Sequence, residues 1–137
     1  MGAADDVQAY LAANSLVDGG TGWPSVLRRV HDETAKLVII TEDGGPVPQI
    51  PRAQGIGDVA MGEPGVQIMV RGEPWKSQDT MDQGQAILDL LHGLAGETIG
   101  STDYIGVYSQ TPEPIFLGFD EKHRPRCTVN VRMKHLL

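Results

Sequence analysis

Between residues 65 and 94 the chain changes its hydrophobic period with almost no linker, and that change limits the folds open to it. Val66, Ile68 and Val70 alternate with Gln67, Met69 and Arg71, the pattern of a strand with one buried face. Gly72 and Pro74 stop that strand. Met81, Gly84, Ile87, Leu88, Leu91, Leu94 and Ala95 then recur at helical spacing and lay an apolar stripe along a helix. Asp79, Asp82 and Asp89 fall off the stripe and read as its solvated face. A strand that runs straight into a helix yields a unit whose helix packs back on its own sheet.

The other segments are expected to complete that layer. Residues 5–16 read as a short helix, because Val7, Tyr10, Leu11 and Asn14 fall three and four apart. Asp5 and Asp6 suit the positive end of its dipole. Residues 18–22 break it, and 25–30 read as a single turn. Trp23 has two readings, an interface anchor or packing beneath the first helix. Residues 36–42 read as a strand with Leu37, Val38, Ile39 and Ile40 apolar on both faces, which suits a central position.

Residues 43–64 have neither period and are rich in glycine and proline. A structureless stretch longer than about 12–15 residues is uncommon inside a domain. It reads either as a surface loop or as an arm that orders against a partner such as a neighbouring subunit. Ile50, Ile56, Val59 and Met61 favour the arm.

After the helix, Gly93 and Gly96 read as its terminators. Residues 102–110 read as a strand, with Ile105 and Val107 on one face and Tyr104 and Tyr108 on the other. Residues 115–119 and a strand through Cys127, Val129, Val131 and Met133 read as an antiparallel hairpin about the polar turn 120–125. The sum is a single α+β domain: a mixed, mostly antiparallel sheet of about five strands, with two main helices packed on one face and a long loop or arm at 43–64.

With 137 residues the chain is one ordinary domain, large enough to bury a core without staples. The single cysteine, Cys127, excludes an internal disulfide and begins an apolar strand face, so a buried hydrophobe is expected. No apolar run approaches the length that spans a bilayer, and no secretory leader is expected from the acidic first residues. A formal net charge of −7 argues against gripping nucleic acid by phosphate neutralisation.

Each common chemical constellation fails. No phosphate loop or nucleophile elbow is present, and Gly55-Ile56-Gly57 does not join a strand to a helix. His31, His92, His123 and His135 lack metal spacing, although His123 and His135 could meet across the last hairpin. The reading is therefore no enzyme, no cofactor and no metal. Contact residues are expected in their place. Arg71, Glu73, Trp75 and Lys76 sit on the turn after the first strong strand, and arginine and tryptophan are typical interface anchors. For Trp75, a cap over the start of the helix stands as the alternative. Pro46, Pro48, Ile50, Arg52, Ile56 and Met61 are the candidate contacts in the arm.

The ordered series PGVQIMVRG, a leucine-rich helix end, a strand, and PEPIFLGFDEKHRPRCTVNVRMK resembles the tail terminator, or tail completion, proteins of long-tailed bacteriophages, a family also labelled minor capsid protein. The opening QAYLAANSL and the DGGPVP turn also fit, so the resemblance covers nearly the whole chain. Pro74-Trp75 departs from the serine- or tyrosine-type linker expected there. The resemblance implies a virion protein of the tail and neck, assembled in the host bacterial cytoplasm. It implies a hexameric ring that caps the tail tube, contacts the major tail tube protein, and docks the neck or head–tail connector protein. Genomic DNA would pass through the lumen without specific binding, and no membrane is involved. Another neck or head-completion protein, and a small α+β ligand-binding domain or enzyme, are the alternatives.

Overall fold

The computed structural model describes residues 2–42 and 61–136. Its elements in chain order are α1 (Ala3–Ala13), β1 (Ser25–Leu27), β2 (Leu37–Glu42), β3 (Met61–Gly62), β4 (Gly65–Arg71), α2 (Ser77–Leu91), β5 (Leu94–Ile99), β6 (Thr102–Ser109), β7 (Ile115–Phe119) and β8 (Pro125–Leu136). Among the described residues the strands form one open sheet in the order β1-β2-β4-β8-β6-β5, with β3 and β7 also paired to β8. The β1–β2 pair is parallel and the other pairings are antiparallel, so the expected mixed α+β layer is present.

The two helices share one face of the sheet. Ala4, Val7 and Leu11 of α1 and Ile87, Leu88 and Leu91 of α2 join Val38, Ile40, Val66, Ile68, Val70, Cys127, Val129 and Val131 in a single apolar core. Burying each large aliphatic side chain is worth about 1.5–3 kcal/mol, so this cluster carries the layer. Trp23 belongs to the same core, with the Lys36 ammonium 4.6 Å from its ring centroid, as the packing alternative required. Asp79, Asp82 and Asp89 are exposed on the far side of α2. Cys127 is fully buried, and burial pushes its thiol up to about 11.

Helix α1 is pinned to strands on both sides of β8, namely β2 and β6. The Ala4 amide donates to Glu42 Oε2 at 2.9 Å, and Arg28 joins Glu42 to Asp5. Asp6 is buried and accepts from Tyr104 Oη at 2.5 Å. Burial, and then that bond, raise the Tyr104 hydroxyl well above its usual range, so it stays a donor.

The structure corrects the sequence reading at several points. The sheet has more than five strands, because β1, β3 and β5 are added. β1 is a three-residue strand held on β2, which is too short to show a period in sequence. Met61 and Gly62, read as the end of the loop, pair with Leu136 and His135. Residues 43–60 of that loop lie outside the described residues. Leu94 and Ala95, read as helical, instead pair with Val107 and Gly106. Gly93 at φ +90° turns the chain out of α2 and into β5, a conformation that glycine adopts freely. In β6 the expected faces are also wrong. A bulge between Tyr104 and Gly106 makes Ile105 the extra residue, so Tyr104 and Val107 point into the core while Ile105 and Tyr108 are exposed.

Close approach of α2 to the sheet depends on Gly84. A Cβ there would lie 2.7 Å from Cys127 Sγ and 3.3 Å from Pro114. Alanine improves helix propensity by roughly 0.5–1 kcal/mol, but overpacking a close-packed core costs about 1–3 kcal/mol. Crowding wins here because the neighbours are buried. Gly84→Ala is expected to lower the free energy of urea unfolding by about 1–2 kcal/mol. A more stable variant would show that α2 has room to move.

Candidate contact surface

The residues singled out after β4 separate into two groups with different surroundings. Arg71 is 2% exposed. Its Nε donates to the Ala35 carbonyl at 3.0 Å, and its terminal nitrogen donates to the His31 and Thr34 carbonyls, each at 2.7 Å. Asp32 is 3.9 Å away. The guanidinium thus closes the loop between β1 and β2 from within the protomer. Burial lowers its proton affinity first, and the neighbouring Arg124 charge adds to this. The bulk and charge that suggest an anchor in sequence are spent on internal carbonyls.

Trp75 is the opposite case, at 65% exposed. It stands at φ +64° and His123 at φ +61°, and their rings stack at 4.6 Å between centroids and 14° between planes. A side chain in the left-handed region costs roughly 1–2 kcal/mol, and an aromatic stack returns roughly 0.5–1.5 kcal/mol. The stack offsets about one of the two strained residues. The turn itself supplies the remainder. The Trp75 amide donates to the His123 carbonyl and the Lys76 amide to the Glu73 carbonyl, both at 3.0 Å. Glu73 and Lys76 are exposed beside it.

A charged clasp fixes the His123 side. Asp120 accepts from the Lys122 and Arg124 amides at 2.9 Å and from Arg124 Nε at 2.7 Å. Arg124 reaches on to Asp32 at 2.9 Å, and Lys122 lies 3.3 Å from the same carboxylate. Burial works against ionisation of Asp120, but the amides and the guanidinium outweigh it and hold its carboxyl below the usual range. The β7–β8 turn, the β1–β2 loop and Arg71 therefore form one framework beneath the Trp75–His123 stack.

Strand β7 continues the surface. Ile115, Phe116, Leu117 and Phe119 are each 40–44% exposed. Phe119 lies 5.2 Å from Trp75 and 5.7 Å from Phe116. Ser77, Gln78 and Met81 of α2 border Phe116. Among the described residues β7 pairs with β8 alone, which leaves its outer edge open. An apolar strand with an open edge is a template for another chain, and such patches mark contact sites. A strained, exposed aromatic stands beside it, and such strain clusters at functional contacts.

Trp75, Glu73 and Lys76 thus gather with β7, whereas Arg71 lies beneath them. Pro46, Pro48, Ile50, Arg52 and Ile56 lie outside the described residues; Met61 is placed in β3, at the other end of β8. His123 and His135 do not meet: His123 stacks on Trp75, and His135 lies at the far end of β8 against Tyr104. The apolar run at 115–119 was visible in sequence on both parities. Apolar residues on both faces suit a central strand and a contact edge equally, so the run alone does not mark an interface.

Residues 10–135 match the family described as bacteriophage tail terminator protein. A search among curated proteins finds no match. The family match covers nearly the whole chain and agrees with the resemblance drawn from its motifs.

Substitution should separate fold residues from contact residues. Arg71→Ala leaves buried carbonyls without donors and is expected to lower unfolding free energy by about 3 kcal/mol or more. Trp75→Gly loses the stack but relieves the strained backbone, and is expected to stay within about 1 kcal/mol of the parent. Urea titration of both variants checks this; equal losses would remove the division. Asp120 has a lowered carboxyl in the folded chain, so its contribution is present above pH about 4 and is lost as pH falls further. Asp120→Asn should be less stable than the parent at pH 7 and converge with it in acid, below the ordinary carboxylate range. Parallel acid titrations of unfolding would refute the clasp.

Proposed function

The chain belongs to the bacteriophage tail terminator family, and from that premise we propose that it forms a hexameric ring that caps the tail tube. The ring stops polymerisation of the major tail tube protein and presents the docking surface for the neck or head–tail connector protein. Genomic DNA passes through its lumen. The protein works by contact and not by catalysis, as a component of the virion tail and neck that assembles in the host bacterial cytoplasm.

The observation that carries this reading is the solvent-exposed Trp75–His123–Phe119 cluster, continuous with the open edge of β7. A ring subunit must meet copies of itself and of other proteins through preformed surfaces. Here an exposed aromatic anchor is held on a rigid, ion-paired turn, so little ordering entropy is lost on binding. The charge fits as well. A chain of net charge −7 favours a lumen that repels phosphate, so DNA slides through without adhering.

Among the described residues no helix is long and apolar enough to cross a membrane. A virion role requires none.

Tube growth tests the proposal. Tail tube protein polymerised with the chain present should give short tubes bearing a ring at one end, seen by negative-stain microscopy. Trp75→Ala should stay folded and give longer, uncapped tubes. Tubes of the same length with and without the parent chain would refute the capping function.

A further inference from the structure

Beneath the Trp75 turn two carboxylates hold three cations together. Asp32, in the loop between β1 and β2, accepts from Arg124 at 2.9 Å and lies 3.3 Å from Lys122 and 3.9 Å from Arg71. Its own side chain is 59% exposed, so water and protons reach it. Asp120 takes the other side of Arg124, at 2.7 Å from Nε.

The two arginines differ in how they answer a loss of charge at Asp32. Arg71 is buried and bonded to the His31, Thr34 and Ala35 carbonyls, so it stays in place. Among the described residues the Arg124 side chain bonds only Asp32 and Asp120. An arginine keeps its charge at any working pH. A neutral Asp32 therefore leaves Arg71, Lys122 and Arg124 facing one another, and like charges repel strongly where water is scarce. Arg124 is the group free to swing out, and His123 precedes it in the turn. Trp75 and His123 both stand at positive φ, +64° and +61°, so each relaxes once the turn stops holding it. The strands are held separately. β7 pairs with β8 from Ile115 to Phe119, and the Gly72 amide donates to the Pro125 carbonyl at 2.9 Å.

We propose that Asp32 is an acid-sensitive latch on the contact surface. Charged, it keeps the Trp75–His123 stack assembled; neutralised, it lets the turn open and the rings part while the sheet stays folded. The proposal deepens the contact reading above and rests on it for its consequence, a surface with an off state. The latch itself rests on the clasp, so the two can fail apart. Its direction follows from the ion pairs. Hydrogen bonds from Arg124 and then Lys122 hold the Asp32 carboxyl below the usual carboxylate range, so the latch is closed above that range and opens as pH falls below it. Asp120 titrates in the same sense. His31 and Glu33 flank Asp32 in its own loop, and Glu73, Lys76 and Glu121 are exposed on the turns beside the stack. His123 is the remaining titratable group. Its protonation does not open the stack, because a cation is attracted to the face of a tryptophan ring.

Fluorine NMR of the full chain labelled with fluorotryptophan tests the latch. Trp23 and Trp75 give two signals, and the one missing from Trp75→Phe belongs to Trp75. At pH 7, Asp32→Lys should shift the Trp75 signal to the position of free fluorotryptophan, leave the signal of the core residue Trp23 unmoved, and keep the parent's far-UV circular dichroism. Asp32→Ala should shift it the same way by less, and serves if lysine unfolds the chain. Asp32→Glu should keep the parent spectrum. In acid, the parent's Trp75 signal should make the same move before the Trp23 signal changes. A Trp75 signal that is unmoved in both Asp32→Lys and Asp32→Ala overturns the latch. So does one that moves only together with Trp23, or one that follows the His123 imidazole, read by proton NMR in the same samples. Tube capping separates the two readings. If Asp32→Lys caps like the parent and Trp75→Ala does not, the switch falls and the contact reading stands. If Trp75→Ala also caps like the parent, the contact reading falls and takes the switch with it.

Discussion

The layer depends on one strand bonded along both edges. β8 runs from Pro125 to Leu136 and pairs with β4 and then β3 on one side, and with β7 and then β6 on the other. Its backbone amides and carbonyls are therefore satisfied by neighbours drawn from widely separated parts of the chain. Its inward residues, Cys127, Val129, Val131 and Met133, are fully buried in the common core. Helix α2 and strands β3, β4, β6 and β7 pack or pair directly with it, and β1, β2 and β5 join through those neighbours. A break in β8 would release the two sides of the sheet together.

The same arrangement creates the exposed apolar surface. β7 and β6 share one edge of β8, and among the described residues β7 pairs with β8 alone. The turn that joins β7 to β8 carries Asp120, His123 and Arg124. Arg124 ties it to Asp32, which also lies near Arg71 at the end of β4. Trp75, just beyond β4, is thereby brought against His123. An exposed aromatic cluster thus sits on a rigid part of the molecule. The chain belongs to the bacteriophage tail terminator family, and the contact role proposed above rests on that cluster.

Much of the layer was legible in the sequence because it follows periodicity. Val66, Ile68 and Val70 are buried as their alternation requires, and the α2 stripe buries Ile87, Leu88 and Leu91. The β7–β8 hairpin and the central place of β2 were legible for the same reason. Features set by pairing rather than by local pattern were not. The bulge at Ile105 reverses the β6 faces through its register with β8. Leu94 and Ala95 continue the helical stripe, yet pairing with β6 overrides it. At the candidate contact surface, the structure shows Trp75 exposed on the turn that the sequence singled out. Arg71 looked like its companion, and only the three-dimensional placement of the His31, Thr34 and Ala35 carbonyls shows that it is internal.

The proposed role makes this fold a frame for assembly, with its contacts at the Trp75 turn and the β7 edge. Amide hydrogen exchange, compared between the free chain and the chain assembled on tail ends, tests it most directly. New protection is expected at residues 73–76 and 115–119, with the β8 core protected in both states. Unchanged exchange at those segments, with protection appearing elsewhere, would contradict it.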